Sequence, residues 1–323
     1  MKICVLGGSG FIGTNLVTGL LKQGHDVVIG DLRTSEKFPE LCQTCDVQVL
    51  DEVRAAIKGC DVVYNLAAEH KDNVRPIKKY YDVNVDAAET VCEACTLESV
   101  KRIIFTSSVA VYGITEEELD ETGATNPFNH YGKSKLEAEA KYQKWNEASS
   151  ENVLTIIRPT VVFGEHNRGN FFNLLNQVVS GKFIMIGNGK NKKSVAYVEN
   201  IAAFLAHVLT VENPEEIYNY IDKPDMDMND LVIHLRKTMG KPGKIGLRIP
   251  YWFGYSAGKA LDGIGFCLKR EFPISAVRVQ KFCSNSCFAA DRVAASGFIA
   301  PYSLQTAIVN TIKSEWPELG VKE

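Results

Sequence analysis

The sequence predicts a doubly wound α/β fold of the Rossmann type, in which a parallel sheet is joined by a smaller α/β lobe. Three observations predict it: a glycine-rich turn directly after the first apolar run, an alternation of strand-like and helix-like segments to residue 158, and a looser pattern beyond Pro159. Parallel strands need crossover helices, so the alternation implies a sheet covered on both faces. We expect a larger domain at 1–165 and the smaller lobe at 166–323, with some exchange of chain between them.

Each predicted strand is a short apolar run bounded by turn residues. The run Lys2–Leu6 leads into the glycine turn, a helix follows at 14–23, and the turn at Gly24 and His25 precedes a strand at 26–30. Further strands are predicted at 46–49, 61–66, 101–107 and 153–158, and in the second half of the chain at 183–186, 194–198 and 216–220. Helices of that half are predicted near 170–181, 199–211, 226–239, 250–266 and 303–314.

The turn after the first strand predicts a dinucleotide-binding site. Gly7, Gly10 and Gly13 have the spacing G-x-x-G-x-x-G, and a backbone that turns tightly beneath a pyrophosphate leaves no room for side chains. Phe11 and Ile12 begin the next helix, whose N-terminal N–H groups favour anionic phosphates. An ordinary glycine turn is the alternative, but the strand before the turn and the helix after it favour the cofactor site.

Asp31 indicates which dinucleotide binds. It ends the second predicted strand about 20 residues beyond the glycine turn, where a carboxylate can accept hydrogen bonds from both ribose hydroxyls. The same carboxylate repels a 2′-phosphate, so the sequence predicts NAD. Arg33 leaves NADP open, because an arginine at this place can bind that phosphate.

The composition describes a soluble globular protein. The 323 residues carry a net charge of −3 and are 45% hydrophobic, so no basic field for nucleic acid is present. The most apolar stretch, 249–268, is interrupted by Lys259 and Asp262 and is expected to form a core or pocket-covering helix, not a membrane span. The chain starts with the first strand, so we expect no signal peptide and a cytoplasmic location.

The nine cysteines are predicted to be free thiols, since an odd number in a cytoplasmic chain argues against a disulfide framework. Two C-x-x-C pairs, Cys42 with Cys45 and Cys92 with Cys95, raise the alternative of structural zinc. In zinc ribbons the two C-x-x-C pairs are usually much closer to each other along the sequence. The second pair here falls inside the helical pattern 83–97, where cysteines at this spacing are commonly small packing residues. We therefore predict no metal site.

A tyrosine and a lysine carry the predicted chemistry. Tyr131 and Lys135 are four residues apart, which stacks them on one face of a predicted helix, and a lysine ammonium beside a phenol favours the phenolate that acts as a base. Tyr255 and Lys259 have the same spacing but lack the surroundings of the first pair. Those surroundings include Ser108, which follows a buried strand at the sheet edge where such folds bind ligands. Ser108 can orient the substrate oxygen, or it can simply cap a turn.

Together these motifs resemble the extended short-chain dehydrogenases/reductases, and among them the NAD-dependent epimerase/dehydratase family that acts on nucleotide sugars. The resemblance implies NAD, a nucleotide-sugar substrate and a homodimer that pairs helices at about 78–97 and 131–148. It implies that Tyr131 and Lys135 also contact the cofactor, together with Asp46, Val47, Leu66, Ala67, Ala68, Asn84, Arg158 and Thr160. The implied substrate contacts are Ser108, Tyr131, Asn170, Lys193 and Arg278, and Arg292 is a weaker candidate.

One departure from the family narrows the expected reaction. The 4,6-dehydratases of the family hold an Asp-Glu pair where this chain has Val109 and Ala110, so dehydration is not expected. The resemblance then implies a 4-epimerase of a UDP-hexose or UDP-N-acetylhexosamine that works through a 4-keto intermediate. A 4-ketoreductase or dehydrogenase of a nucleotide sugar is the alternative, and a 3β-hydroxysteroid type of dehydrogenase is a more distant one.

Overall fold

A parallel β-sheet lies at the centre of the computed structural model, which describes residues 1–71, 74–115, 117–212, 214, 216–268 and 275–321. The strands are β1 (Lys2–Leu6), β2 (Asp26–Asp31), β3 (Cys42–Thr44), β4 (Val62–Asn65), β5 (Arg102–Thr106), β6 (Val153–Pro159), β7 (Val161–Phe163), β8 (Met185–Ile186), β9 (Lys192–Lys193), β10 (Val195–Tyr197), β11 (Ile217–Tyr220), β12 (Met226–Asp227) and β13 (Arg248–Ile249). Seven of these described strands form the sheet, in the order β11, β6, β5, β4, β1, β2, β3. Every neighbouring pair is parallel, which confirms the predicted doubly wound fold.

Helices connect the strands and cover both faces of the sheet. The helices are α1 (Phe11–Lys22), α2 (Leu50–Ile57), α3 (Lys78–Tyr81), α4 (Ala87–Leu97), α5 (His130–Glu147), α6 (Asn170–Val179), α7 (Val198–His207), α8 (Met228–Thr238), α9 (Tyr251–Leu268), α10 (Ala276–Cys283), α11 (Asp291–Ala295) and α12 (Leu304–Glu315). Short 3₁₀ turns lie at Pro39–Leu41, Val109–Val111, Val208–Thr210 and Pro317–Leu319, and a π-helical turn at Asp82–Asp86 joins α3 to α4.

Alternation along the strands divides the core into two layers. In β1, Cys4 and Leu6 pack in the layer beneath α2, α4 and α5, whereas Ile3 and Val5 pack beneath α1 and α7. Successive side chains of a strand point to opposite faces, so one buried apolar run serves both layers. The helices thereby hold the carboxyl edge of the sheet rigidly in place.

The third strand is the one predicted strand of the sheet that was wrong in position. The expectation was 46–49, whereas β3 is Cys42–Thr44 and pairs with β2. The carboxylate of Asp46 accepts a hydrogen bond from the backbone N–H of Gln48, and its carbonyl accepts one from Val49. These bonds turn the chain toward α2, so the segment cannot extend as a strand.

The second half of the chain forms a smaller lobe and also returns to the sheet. Three two-stranded pairings, β7 with β10, β9 with β12 and β8 with β13, surround an apolar cluster that includes Phe163, Leu175, Met185 and Leu231. β11 pairs with β6 at the edge of the large sheet, and α7 packs on α1. The division at residue 165, and the exchange of chain between the two lobes, stay predictions.

Among the described residues, no helix has both the length and the apolar composition needed to cross a membrane.

Candidate active site

The glycine turn is packed so tightly that side chains are excluded. Gly7 has a φ of +77°, and a Cβ on it would lie 2.6 Å from the backbone nitrogen of Ala67. A Cβ on Gly13 would lie 2.5 Å from the carbonyl oxygen of Gly7. The turn that follows β1 therefore lies against the end of β4 as well. The strand order of the sheet reverses between β1 and β4, and open α/β sheets bind ligands at such a point. Gly10 is the N-cap of α1, and Phe11 and Ile12 begin that helix.

Asp31 lies directly beside this turn. Its carboxylate accepts hydrogen bonds from the backbone N–H of Ser9 at 3.1 Å and from that of Arg33 at 3.0 Å. The Arg33 side chain is exposed. Asp46 and Val47 follow closely, because the N–H of Cys45 donates to the carbonyl of Asp31. The predicted ribose and adenine contacts are therefore neighbours in space, although their binding roles stay predictions.

Ser108 and Tyr131 come from two elements that touch. Ser108 caps the 3₁₀ turn at Val109–Val111 by accepting a hydrogen bond from the N–H of Ala110 at 3.2 Å. Tyr131 is in the first turn of α5, and a Cβ on the next residue, Gly132, would lie 2.5 Å from the carbonyl oxygen of Ala110. The sequence left two roles open for Ser108, and the turn cap is present. Orientation of a substrate oxygen stays a prediction.

Lys135 lies one turn further along α5 and is buried. Its side chain is only 2% exposed, and its ammonium nitrogen lies 4.2 Å from the centre of the Phe105 ring in β5. Burial lowers the pKa of Lys135 to about 7, and the charge of Glu139 opposes that change. Lys135 therefore lies on the face of α5 that covers the carboxyl end of β5. Tyr131 is four residues earlier on the same helix, so the spacing predicts that it shares this face. The second pair, Tyr255 and Lys259, lies on α9.

Glu139 is a buried charge that our sequence analysis missed. The guanidinium of Arg158 donates to both its carboxylate oxygens, at 2.9 and 2.6 Å, and donates to the hydroxyl of Tyr112 at 2.7 Å. Arg158 was predicted to contact the cofactor, and three of its five donors are used inside the protein. The signal for Glu139 was available in the sequence, since it lies four residues beyond Lys135 on the same helix.

Asn84 braces the π-helical turn against α5. Its side-chain amide exchanges two hydrogen bonds with the backbone of Glu69 and donates to the hydroxyl of Ser134 at 2.9 Å. It is buried, and its neighbours Leu66, Ala67 and Ala68 line the end of β4. These contacts give Asn84 a structural role, and its predicted cofactor contact stays untested.

Three hydroxyls at the carboxyl ends of β5 and β6 are buried. Those of Thr106 and Ser107 have no hydrogen-bond partner among the described residues, whereas Thr160 donates to the carbonyl of Ser194 at 2.8 Å. Buried hydroxyls are normally paired, so the first two mark a place where ligand atoms can supply the missing bonds. The sequence predicts a strand that ends in hydroxyls at this edge, Thr106, Ser107 and Ser108, but only Ser108 was given a role in binding substrate.

The other predicted substrate residues, Asn170, Lys193 and Arg278, lie in the second half of the chain. Lys193 donates from its ammonium to the carbonyls of Lys281 and Ser284, each at 2.7 Å, and burial lowers its pKa to about 8. An ammonium has three donors, so the third can serve an anionic oxygen. Asn170 is exposed at the start of α6. Arg278 is exposed on α10, the helix whose last turn provides the carbonyl of Lys281.

The residues present fit NAD. Gly7 leaves room for a pyrophosphate against its backbone, the carboxylate of Asp31 could accept from ribose hydroxyls, and the buried ammonium of Lys135 could donate to the nicotinamide ribose. The unpaired hydroxyls of Thr106 and Ser107 lie at the same edge of the sheet. Cys92 and Cys95, the pair expected to be packing residues, are buried in α4. Burial raises the pKa of Cys45 and of Cys92 to about 12.

Comparisons with known proteins show the family to which the chain belongs. The family model described as the NAD dependent epimerase/dehydratase family matches residues 3–220. The N-acetyl-alpha-D-glucosaminyl-diphospho-ditrans,octacis-undecaprenol 4-epimerase of Escherichia coli O157:H7 is 44% identical over 318 residues, which are 98% of this chain and 95% of that protein. The UDP-glucose 4-epimerase of Vibrio cholerae is 28% identical over 80% of this chain and 83% of its own.

Solved structures share the fold. The UDP-glucuronic acid 4-epimerase from Bacillus cereus, crystallised with NAD, superposes with a TM-score of 0.77 at 20% identity, and the match covers 99% of this chain and 100% of that one. The UDP-N-acetylglucosamine 4-epimerase from Bacillus cereus gives 0.75 at 17% identity over 96% and 98%. The predicted family and cofactor are confirmed: the chain belongs to the NAD-dependent epimerase/dehydratase family, and its cofactor is NAD.

Proposed function

We propose that this protein is a 4-epimerase that inverts C4 of an N-acetylhexosamine joined through a diphosphate to a polyprenol. The observation that carries the proposal is the 44% identity to an enzyme named for that reaction, because the identity extends over 98% of this chain and so includes the smaller lobe. The smaller lobe is where Lys193 offers a cation for a diphosphate. The polyprenyl diphosphate is therefore proposed as the carrier of the sugar because the similarity includes the lobe that would bind the diphosphate.

The catalytic residues have distinct roles in this proposal. Tyr131 takes the proton of the C4 hydroxyl as general base and returns it to the C4 oxygen when the opposite face of C4 is reduced, and Ser108 orients that oxygen by hydrogen bonding. A protonated Lys135 favours the phenolate of Tyr131 and binds the nicotinamide ribose. When bound, NAD accepts the hydride of C4 and gives it back. The smaller lobe keeps hold of the diphosphate while the 4-keto sugar turns over.

A nucleotide sugar is the second candidate substrate. The relative from Vibrio cholerae is named for UDP-glucose, and a UDP-sugar offers Lys193 the same diphosphate. The two candidates differ in what lies beyond that diphosphate, an apolar chain in one and a nucleoside in the other. A reductase would differ from both, because it needs added NADH or NADPH for each turnover.

The test supplies both kinds of substrate to the purified protein without added cofactor. We expect conversion of N-acetylglucosaminyl diphosphate carrying a short prenyl chain, followed by NMR at C4, and little conversion of UDP-N-acetylglucosamine. The change Tyr131→Phe is expected to lower kcat by at least about a hundredfold, the usual contribution of a general base. Tyr255→Phe is the matched control, because its tyrosine has the same spacing to a lysine on another helix, and its kcat is expected to stay unchanged.

Conversion of the UDP-sugar alone would replace the proposed carrier with a nucleotide. Near-normal turnover by Tyr131→Phe would refute the proposed base.

We propose in addition that the protein is a cytoplasmic homodimer. The eight described cysteines are free thiols, which suits a reducing compartment. The helices expected to pair across the dimer, α4 and α5, lie side by side and are joined by an ion pair between Glu89 and Lys141. Light scattering after gel filtration measures the mass of the assembly, and a monomer would contradict the proposal.

A further inference from the structure

Helix α9 packs with its small residues inward. A Cβ on Gly258 would lie 2.6 Å from the backbone nitrogen of Ala276 at the start of α10, and one on Gly254 would lie 2.8 Å from the side chain of Ile186. These glycines let the helix approach its neighbours closely. Large apolar side chains of α9 lie on the opposite, exposed side of the helix. An ordinary amphipathic helix on a soluble protein turns such side chains toward the core.

The outward side of α9 is apolar and lacks charge. At about 100° per residue, seven exposed residues fall within an arc of about 140° that faces away from the two buried glycines. They form the outer face of α9, namely Trp252, Phe253, Ser256, Ala257, Ala260, Gly263 and Ile264. Trp252 is 68% exposed, Phe253 53% and Ile264 47%. A contiguous exposed patch of this kind marks an interaction surface.

The sequence around α9 is strongly basic. Between Asp230 and Asp262 it holds Arg236, Lys237, Lys241, Lys244, Arg248 and Lys259 and no carboxylate, although the whole chain has a net charge of −3. Lys259 is exposed at the border of the outer face, where its ammonium lies 5.2 Å from the centre of the Tyr255 ring. An apolar helix face that has a lysine at its border and follows a basic, exposed segment containing Lys241, Lys244 and Arg248 has the pattern of helices that lie in the headgroup region of anionic membranes.

The helix pair α9 and α10 also adjoins the active site. The ammonium of Lys281, in α10, lies 4.3 Å from the centre of the Phe128 ring. Phe128 comes directly before Asn129, the N-cap of α5, which begins the turn that carries Tyr131. The carbonyl of Lys281 accepts one of the hydrogen bonds of Lys193. A surface held by α9 is thus connected through one helix to the residues proposed to bind the diphosphate.

We propose that the outer face of α9 docks the protein on the surface of an anionic phospholipid bilayer. The aromatic side chains enter the headgroup region, the basic residues contact lipid phosphates, and the helix lies along the membrane without crossing it. In this position the chain can reach the sugar of a substrate whose apolar tail stays in the bilayer, a use of the surface that rests on the proposed function. The docking itself depends only on the helix and its charges.

A bilayer suits this surface better than a second copy of the chain. In a two-fold interface the same patch meets itself, so Lys259 and the basic segment that leads into α9 would approach their own copies. Like charges that meet in this way oppose association, whereas anionic lipid attracts them. The second copy is nevertheless an occupant that the experiment has to distinguish.

The experiment is co-sedimentation of the full-length protein with phosphatidylglycerol vesicles and with phosphatidylcholine vesicles. We expect binding to the first, weakened by salt, and a loss of affinity of about tenfold or more in the double change Trp252→Ser and Phe253→Ser, because both exposed side chains lose their burial in lipid. Ile299→Ser is the matched control, since Ile299 is 87% exposed outside α9, and it is expected to bind as the unchanged protein does. Circular dichroism verifies that both variants are folded.

Equal vesicle binding by the double variant and the unchanged protein would overturn the proposal, as would an absence of binding to phosphatidylglycerol. A double variant that changes from dimer to monomer in lipid-free buffer and still binds vesicles would assign the face to a second copy. A separate arm of the experiment measures turnover of two prenyl diphosphate sugars, one held in vesicles and one with a short soluble chain. The ratio of the first turnover rate to the second is expected to fall about tenfold in the double variant. Failure to convert either substrate, with vesicle binding through α9 intact, would remove the proposed function and leave the docking surface in place.

Discussion

Replacement of Lys135 by methionine is expected to stabilise the cofactor-free protein while it abolishes activity. The lysine is 2% exposed, and its ammonium lies against the Phe105 ring in a site where burial lowers its pKa to about 7. Methionine keeps a long, unbranched side chain over the same ring and carries no charge. The variant therefore separates the cost of burying an ammonium from the cost of losing side-chain volume.

The size of the effect follows from the two pKa values. An unfolded lysine titrates near 10.5 and Lys135 near 7, so keeping this ammonium protonated in the folded chain costs on the order of 5 kcal/mol. Loss of the cation–π contact offsets about 1–2 kcal/mol of the gain. We expect the free energy of unfolding at pH 7 to rise by about 3–4 kcal/mol in Lys135→Met.

The dependence on pH gives the effect its sign. Between pH 7 and pH 10.5 the unfolded chain binds the proton of Lys135 more often than the folded chain does, so this residue makes the folded protein more stable as the pH rises. Below pH 7 both states are protonated and the full cost remains. The advantage of Lys135→Met over the unchanged protein should thus be largest at pH 7 and below and shrink toward pH 10.

The assay is urea unfolding of NAD-stripped protein at pH 7, 8 and 9, with Lys133→Met as the control. Lys133 is an exposed lysine two residues earlier on the same helix, so its replacement removes a charge without relieving burial. A stability difference between Lys135→Met and the unchanged protein that stays constant with pH would refute the reasoning. So would a variant that is less stable than the unchanged protein at pH 7.

Two further changes test the packing around the site. Gly13→Ala is expected to weaken NAD binding by about tenfold, because its Cβ would lie 2.5 Å from the carbonyl oxygen of Gly7. Gly19→Ala is the control in the same helix, since its Cβ would meet nothing within 4 Å, and it should leave the affinity for NAD unchanged. Equal affinities of the two variants, measured by calorimetry, would contradict this prediction. Glu139→Gln is expected to lower the free energy of unfolding by about 3 kcal/mol, because it leaves the Arg158 charge buried without an anionic partner. A loss below about 1 kcal/mol, measured by urea unfolding, would contradict this prediction.

The elements that sequence could predict are those with a local pattern. Gly7 and Asp31 belong to one strand, turn, helix and strand unit, so their spacing alone places them together. α9 was expected at 250–266 from its apolar content and is observed at Tyr251–Leu268. β3 was misplaced because it is a three-residue edge strand with two exposed polar residues, which carries almost no periodic signal.

The parts of the site that sequence could not predict depend on contacts between distant elements. The bond from Asn84 to Ser134 spans fifty positions, and it exists because a π-helical turn lies against α5. The partner of Glu139 is Arg158, on a strand of the sheet that α5 covers. Neither contact follows from the order of residues, since each requires the position of α5 over the sheet.

Helix α5 therefore links the stability of the fold to the chemistry of the site. One of its faces holds Lys135 in an apolar layer that lowers its pKa, and one turn later Glu139 holds Arg158 and opposes that change. Removing the Glu139 charge would thus disturb the lysine as well as the arginine. Burial of an ammonium without an anionic partner lowers stability, so this arrangement is expected where a ligand supplies the missing hydrogen-bond acceptors. The ribose hydroxyls of NAD have that chemistry, so the proposed contact between Lys135 and NAD would explain why the fold keeps a buried ammonium that is expected to destabilise the cofactor-free protein.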